Sequence, residues 1–350
     1  MVACTYPPAL APGSTVAILA SSHAPPEAAF STGIERLEAF GLGVEVFETA
    51  RRDTEWLRAN PEARAADVEE AFADDGIDGV IAAMGGNRGL QTLEHVDETV
   101  LRENPKRFFG TSDNTHLHLL LNRLGIVSFY GGQLFPDLST DPEIRLYTRE
   151  YVERAFGDAS LGPIEPAGEW TDEYDDLGSN EPREWFPGEG WIWHNPAGEI
   201  RGSVLGGCFA MLESQLMLAD TPFPAVLDPG DVFAVETSGE VPNPAEVERF
   251  FTVLGERGVL ADLGAVLVGR PETPGGTLSD REDYRRDQRE TIARVVDEYT
   301  ESLPVVFDLD FGHTAPNLPL SLGAPIVIDS EERSITFPAP EAEPTIESGG

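Results

Sequence analysis

The chain has 350 residues, enough for two domains with a sizeable buried core, and 41% of them are hydrophobic, which sets aside intrinsic disorder. Acidic residues outnumber basic ones 62 to 24 and the formal net charge is -38, so a phosphate backbone or an anionic membrane would be repelled. The acids are spread along the chain instead of gathered in a tail, and Lys106 is the only lysine, a pattern expected of adaptation to a salt-rich cytoplasm.

Cys4 and Cys208 can build neither a disulfide framework nor a zinc site by spacing, and the N-terminus lacks the basic and apolar regions of a secretory signal. No apolar run reaches membrane-spanning length, so the expectation is a soluble cytoplasmic protein.

The run Thr15-Val16-Ala17-Ile18-Leu19-Ala20 reads as a strand buried on both faces, and Phe30 to Phe40 has helical spacing closed by Gly41. A strand at Val44 to Phe47, an amphipathic helix from Ala63 to Ala73 and a buried strand from Gly79 to Met84 follow. This alternation predicts a doubly wound, flavodoxin-like parallel-sheet domain over 1–156, with ligands at the carboxyl ends of its strands. At one such end stands Gly85-Gly86-Asn87-Arg88-Gly89, which is neither a dinucleotide fingerprint nor a P-loop; it is a plain turn or a set of N–H donors for an anion. A crossover helix around Leu90 to Leu101 would bring it beside Gly110-Thr111-Ser112-Asp113, where two aromatics end a strand and an apolar run, Leu117 to Leu124, begins a helix. Ser112 there is either a helix cap, as Thr111 and Asp113 could equally be, or a hydroxyl exposed above a helix N-terminus, the place for a nucleophile.

Beyond a strand at Ile126 to Tyr130 and a helix from Arg145 to Phe156, residues 157–168 read as a linker and 169–340 as a β-rich α/β domain, with a frayed tail at 341–350. Trp170, Tyr174, Trp185, Trp191 and Trp193 crowd a polar stretch, as a stacking wall for a planar ligand or as a satellite core under a long loop. Gly206-Gly207 is expected to open a helix running through Met217. A strand ending at Glu236 leads into Glu236-Thr237-Ser238-Gly239-Glu240, which leaves two acids competing for one role. The strands Ala265 to Gly269 and Pro304 to Phe307 precede a loop holding Gly312-His313. His116 and His118 fall on different faces of one helix, and His23, just past a strand end, is a reserve. Ser112, Glu236 and His313 together supply a nucleophile, an orienting carboxylate and a general base, each near a strand end.

From Pro12-Gly13-Ser14-Thr15-Val16 through Arg64-Ala65, Gly85-Gly86, Gly110-Thr111-Ser112-Asp113, Gly206-Gly207, Glu236 and Gly312-His313 to Pro319, the chain resembles the LD-carboxypeptidase family of serine peptidases, with the microcin-immunity type as the nearer branch. The resemblance implies Ser112 as nucleophile, His313 as base, Glu236 as its orienter and the N–H groups of Gly86 and Asp113 as oxyanion hole. It also implies a homodimer that uses no metal or cofactor, and it aligns the tryptophan-rich insert with a loop that holds a nucleotide-like moiety. Gly85, Asn87, Trp170, Trp185, Trp191, Trp193 and Gly207 are the expected substrate contacts. The substrate expected is a small peptide-like or aminoacyl-nucleotide-like amide, with release of a terminal D-amino acid from peptidoglycan, or capture without catalysis, as the alternatives.

Overall fold

The computed structural model describes residues 4–139, 143–173, 183–273 and 276–339. Tyr174 and the 341–350 tail lie outside the described residues.

The strand Thr15–Leu19 shows why the first sheet forms. Val16 and Ile18 join one buried cluster, while Ala17 and Leu19, pointing the other way, join a second. Both faces are covered, so the run is apolar without alternation. It pairs in parallel with Gly43–Val46 on one side and Gly79–Ala82 on the other, and Arg107–Gly110 and Ser128–Tyr130 extend the sheet in parallel. That order is the flavodoxin-like one expected from the sequence. The sixth strand, Leu320–Leu322, comes from the far end of the chain and adds antiparallel to Ser128–Tyr130.

The second sheet has eight strands. Its centre is parallel, running from Glu199–Cys208 through Val232–Glu236 and Ala265–Gly269 to Val305–Leu309. Antiparallel strands flank it: Pro325–Asp329, Ser334–Phe337 and Gly162–Ile164 on one side, Ile192–His194 on the other. Phe233, Val235, Val266 and Phe307 pack with Val247, Phe250 and Phe251 of the helix Pro244–Glu256 and with Val295 and Val296 of Leu278–Tyr299. Val232, Ala234, Leu267 and Val306 turn the opposite way, into the cluster that also holds Val16 and Ile18. One hydrophobic core therefore continues from sheet to sheet.

Three local expectations differ. The crossover after Gly79–Ala82 is two short helices, Gly89–Leu93 and Glu98–Glu103, because Asp97 caps a new helix by accepting from Thr99 N–H at 2.9 Å. Gly162–Ile164, inside the stretch read as a linker, is an edge strand of the second sheet. Gly206 and Gly207 end the ten-residue strand Glu199–Cys208, and the helix begins only at Phe209. The physical reason is close approach: at a φ of +148°, a Cβ on Gly206 would lie 1.7 Å from the Ala234 carbonyl oxygen of the neighbouring strand.

Candidate active site

Past Arg107–Gly110 the chain turns sharply, through the single helical turn Ser112–Asn114, into the helix Thr115–Arg123. Ser112 itself has φ +63°, a left-handed conformation that costs a non-glycine residue about 1–2 kcal/mol and that lifts its side chain away from the helix. Neighbours hold the turn in place. Thr111 N–H donates to Gln133 Oε1 at 3.1 Å, and the Asn114 amide donates to Thr111 O at 2.9 Å while its oxygen accepts from Ser21 Oγ at 2.6 Å.

The glycine loop lies against this turn. A Cβ on Gly85 would sit 2.8 Å from the Ser112 Cβ, so only a glycine lets the loop come so near. The Asp113 carboxylate accepts from Arg88 N–H and Gly89 N–H at 2.6 and 2.7 Å, and Ser22 Oγ accepts from Asn87 N–H and Arg88 N–H at 3.1 and 2.9 Å. The loop and the serine turn are thus bound to each other through Asp113.

The second sheet delivers the other two residues. Glu236 ends Val232–Glu236 and is fully buried, with its Oε2 2.8 Å from His313 Nδ1. His313 stands four residues past the end of Val305–Leu309 and keeps 15% of its side chain exposed. Glu236 Oε1 accepts from the Tyr130 hydroxyl at 2.5 Å, and the Tyr130 oxygen accepts from Ser112 N–H at 3.0 Å. A second link runs from Cys208 N–H to Thr115 Oγ1 at 3.0 Å and from the Thr115 hydroxyl to Ser112 O at 2.6 Å. Ser112, Glu236 and His313, far apart in sequence, are thus joined by one run of hydrogen bonds through Tyr130.

An LD-carboxypeptidase N-terminal domain matches residues 16–131 and an LD-carboxypeptidase C-terminal domain matches residues 201–328. The chain belongs to the LD-carboxypeptidase family. It is 25% identical over 340 residues to the probable murein peptide carboxypeptidase of Bacillus subtilis, covering 96% of this chain and 95% of that protein. It is also 25% identical over 337 residues to the microcin self-immunity protein MccF of Escherichia coli, covering 94% of each. An MccF-like protein of Streptococcus pneumoniae, solved in complex with AMP, superposes with a TM-score of 0.81 at 26% identity, covering 93% of this chain and 99% of that one.

In this LD-carboxypeptidase family member the electrostatics around His313 are dominated by acids. Burial pushes the His313 imidazole down, but Glu236, with Glu272 and Asp137 behind it, outweighs burial and lifts the pKa to about 9. Burial raises the Asp137 carboxyl to about 6 in spite of the Asn317 amide 2.9 Å from it. Beside His313 opens a narrow cleft whose lining includes Asp137, Arg145, Thr148, Arg183 and Asn317.

The remaining expected contacts divide. Gly207, at φ +150°, lies against Thr115, and Gly86 lies against Ser22 and the His23 ring. Asn87 is exposed and meets the site through its backbone. Glu240, the rival acid, is exposed, whereas Glu236 faces the imidazole. Of the tryptophans, Trp170 is 2% exposed with the Arg270 and Arg285 guanidiniums packed on its ring, so it belongs to the core. Trp191 donates to Asp310 at 3.0 Å and Trp193 sits in the edge strand Ile192–His194. Trp185 adjoins the cleft's wall, carrying Arg145 at 3.9 Å and Arg183 at 5.1 Å from its ring centre. The two helix histidines are internal: His118 bonds Ser128 Oγ and Gly110 O, and His116 sits between Gln215 and Asp113. Sequence reasoning missed Tyr130 and Thr115; both lie next to motif residues, but nothing in the motifs singles them out. Among the described residues no helix is long and apolar enough to cross a membrane.

Proposed function

We propose that this protein is a serine hydrolase that cleaves an amide in a small peptide-like or aminoacyl-nucleotide-like substrate through an acyl-enzyme. The observation that carries the reading is the unbroken hydrogen-bond chain Ser112 N–H, Tyr130, Glu236, His313. Its polarity is fixed. In the neutral ring, with Nδ1–H given to Glu236, the lone pair of His313 is left on Nε2, the atom a general base needs. His313 accepts the Ser112 hydroxyl proton during attack on the carbonyl and returns it to the departing amine. The N–H groups of Gly86 and Asp113 hold the oxyanion: Asp113 lies in the first turn of a helix, where no preceding helical carbonyl claims the amide, and its carboxylate ties the glycine loop in register. Glu236 fixes the tautomer and stabilises the imidazolium.

The AMP bound by the pneumococcal relative favours a nucleotide-bearing leaving group. The murein carboxypeptidase relative favours the second reading, release of a terminal D-amino acid. The test uses a fluorophosphonate, a murein tetrapeptide and an aminoacyl sulfamoyl adenosine. Labelling confined to Ser112 and loss of all turnover in Ser112→Ala, with folding unchanged by circular dichroism, are expected. A Ser112→Ala protein that still hydrolyses either substrate refutes the assignment, and an unlabelled wild type points to capture without catalysis. The faster of the two substrates decides the branch.

A further inference from the structure

Tyr130 ends the strand Ser128–Tyr130, and its backbone pairs with Gly110, two residues before Ser112. That register puts its side chain directly under the serine turn. The ring is fully buried, with its centre 6.3 Å from Phe311 in an edge contact and 5.6 Å from His118, which is itself pinned by Ser128 Oγ at 2.8 Å and Gly110 O at 3.0 Å. The phenol therefore has little freedom to leave its place.

We propose that Tyr130 is a positioning residue of the hydrolytic site, one that sets the basicity of His313 through Glu236 and reserves the Ser112 amide for itself. The inference rests on the serine hydrolase reading above. An amide N–H can only donate, so the Tyr130 oxygen must accept from Ser112 and its proton must point at Glu236 Oε1. A charge-assisted hydrogen bond on one carboxylate oxygen withdraws charge from the other, the one facing His313. The phenol thereby makes the imidazole less basic than an unshared Glu236 would. Burial, then Glu236 and Cys208, hold the phenol's own pKa well above the ordinary value, which keeps the proton on it.

Two consequences follow. The Ser112 N–H is committed to Tyr130 and does not serve the oxyanion, which leaves that duty to the amides of the glycine loop and Asp113. The nucleophile's backbone and the orienting carboxylate, which belong to different sheets, are also set at a fixed separation by one rigid ring. The charged and titratable groups facing this unit are Glu236, Glu272 and Asp137 around His313, and Glu236, Cys208 and His118 around Tyr130.

The experiment reads the rate of Ser112 phosphonylation by a fluorophosphonate as a function of pH, which needs no knowledge of the natural substrate. Tyr130→Phe should label about tenfold or more slowly at neutral pH, and the pH at which the rate levels off should move upward. A fluorotyrosine at position 130, of the same shape but a stronger donor, should move that pH downward with no change in circular dichroism. A Tyr130→Phe protein that labels within about twofold of wild type, with an unmoved pH limb, overturns the inference. If Tyr130→Phe does not fold, the fluorotyrosine protein decides alone, and an unmoved limb there overturns it too. A wild type that is not labelled at Ser112 overturns the hydrolase reading and this inference together. A labelled wild type with an indifferent position 130 removes only the second.

Discussion

His313 keeps its proton at neutral pH because three carboxylates surround an imidazole that burial alone would neutralise, and the result is a pKa of about 9. Serine attack needs the neutral ring, which two pH units below the pKa is about one molecule in a hundred. We therefore expect kcat/KM to climb about tenfold per pH unit from neutrality and to level off near pH 9. Glu236→Gln removes the carboxylate that acts most strongly on the imidazole, so burial then dominates and the limb should fall below its wild-type position while the maximal rate drops. A pH–rate profile on the two proteins checks both directions, and a shared limb would separate Glu236 from the imidazole's titration. Stability runs the other way. The folded-state pKa lies above the ordinary histidine value, so the stabilisation from the protonated pair is complete below about pH 6.5 and is lost as pH rises through about 9. Turnover should improve over the same interval in which this pair stops supporting the fold.

At the scale of the element, the paired glycines illustrate what a sequence can and cannot declare. Gly206-Gly207 reads as a helix start, yet Glu199–Cys208 is a strand whose outer half runs antiparallel to Pro325–Asp329 and whose inner half runs parallel to Val232–Glu236. Its mixed composition, Glu199-Ile200-Arg201-Gly202-Ser203, hides it because none of that half is fully buried. We expect Gly206→Ala to destabilise the protein by roughly 3 kcal/mol or more, since the new Cβ meets a backbone oxygen that cannot step aside. Gly13→Ala is the control: φ is also positive, at +97°, but no atom lies within 4 Å of the added carbon, so only conformational strain of about 1 kcal/mol remains. Equal losses in urea unfolding would show that strain, not steric contact, holds these sites to glycine. The strands buried on both faces were legible because nothing polar interrupts them, and Ser112, Glu236 and His313 stand out in the sequence because each lies at or shortly past the end of such a run. Tyr130 was not, because its meaning lies in a carboxylate 106 positions away. The tryptophans stayed open between stacking wall and satellite core for a related reason: composition cannot tell that Arg270 and Arg285 already lie on Trp170.

For the molecule as a whole the charge sets the question. A net charge of -38 over an accessible surface of 14932 Å² is roughly one uncompensated negative charge per 400 Å², a spacing of about 20 Å. The Debye length is about 30 Å at 0.01 M salt, about 10 Å at 0.1 M and about 3 Å at 1 M. Neighbouring charges therefore repel one another fully in dilute buffer and hardly at all once a few tenths molar salt is present. If self-repulsion is what salt relieves, the melting temperature should rise steeply between about 0.01 and 0.3 M and then flatten, equally in KCl and NaCl. At about 1–2 °C per kcal/mol for a chain of this length, relief of about 2 kcal/mol would shift the melting temperature by about 3 °C, enough to register in a thermal scan. A melting temperature that keeps climbing to molar salt, or that distinguishes the two cations, would instead mean that the acidic surface organises ions and water directly. Screening could then no longer account for the excess of Asp and Glu.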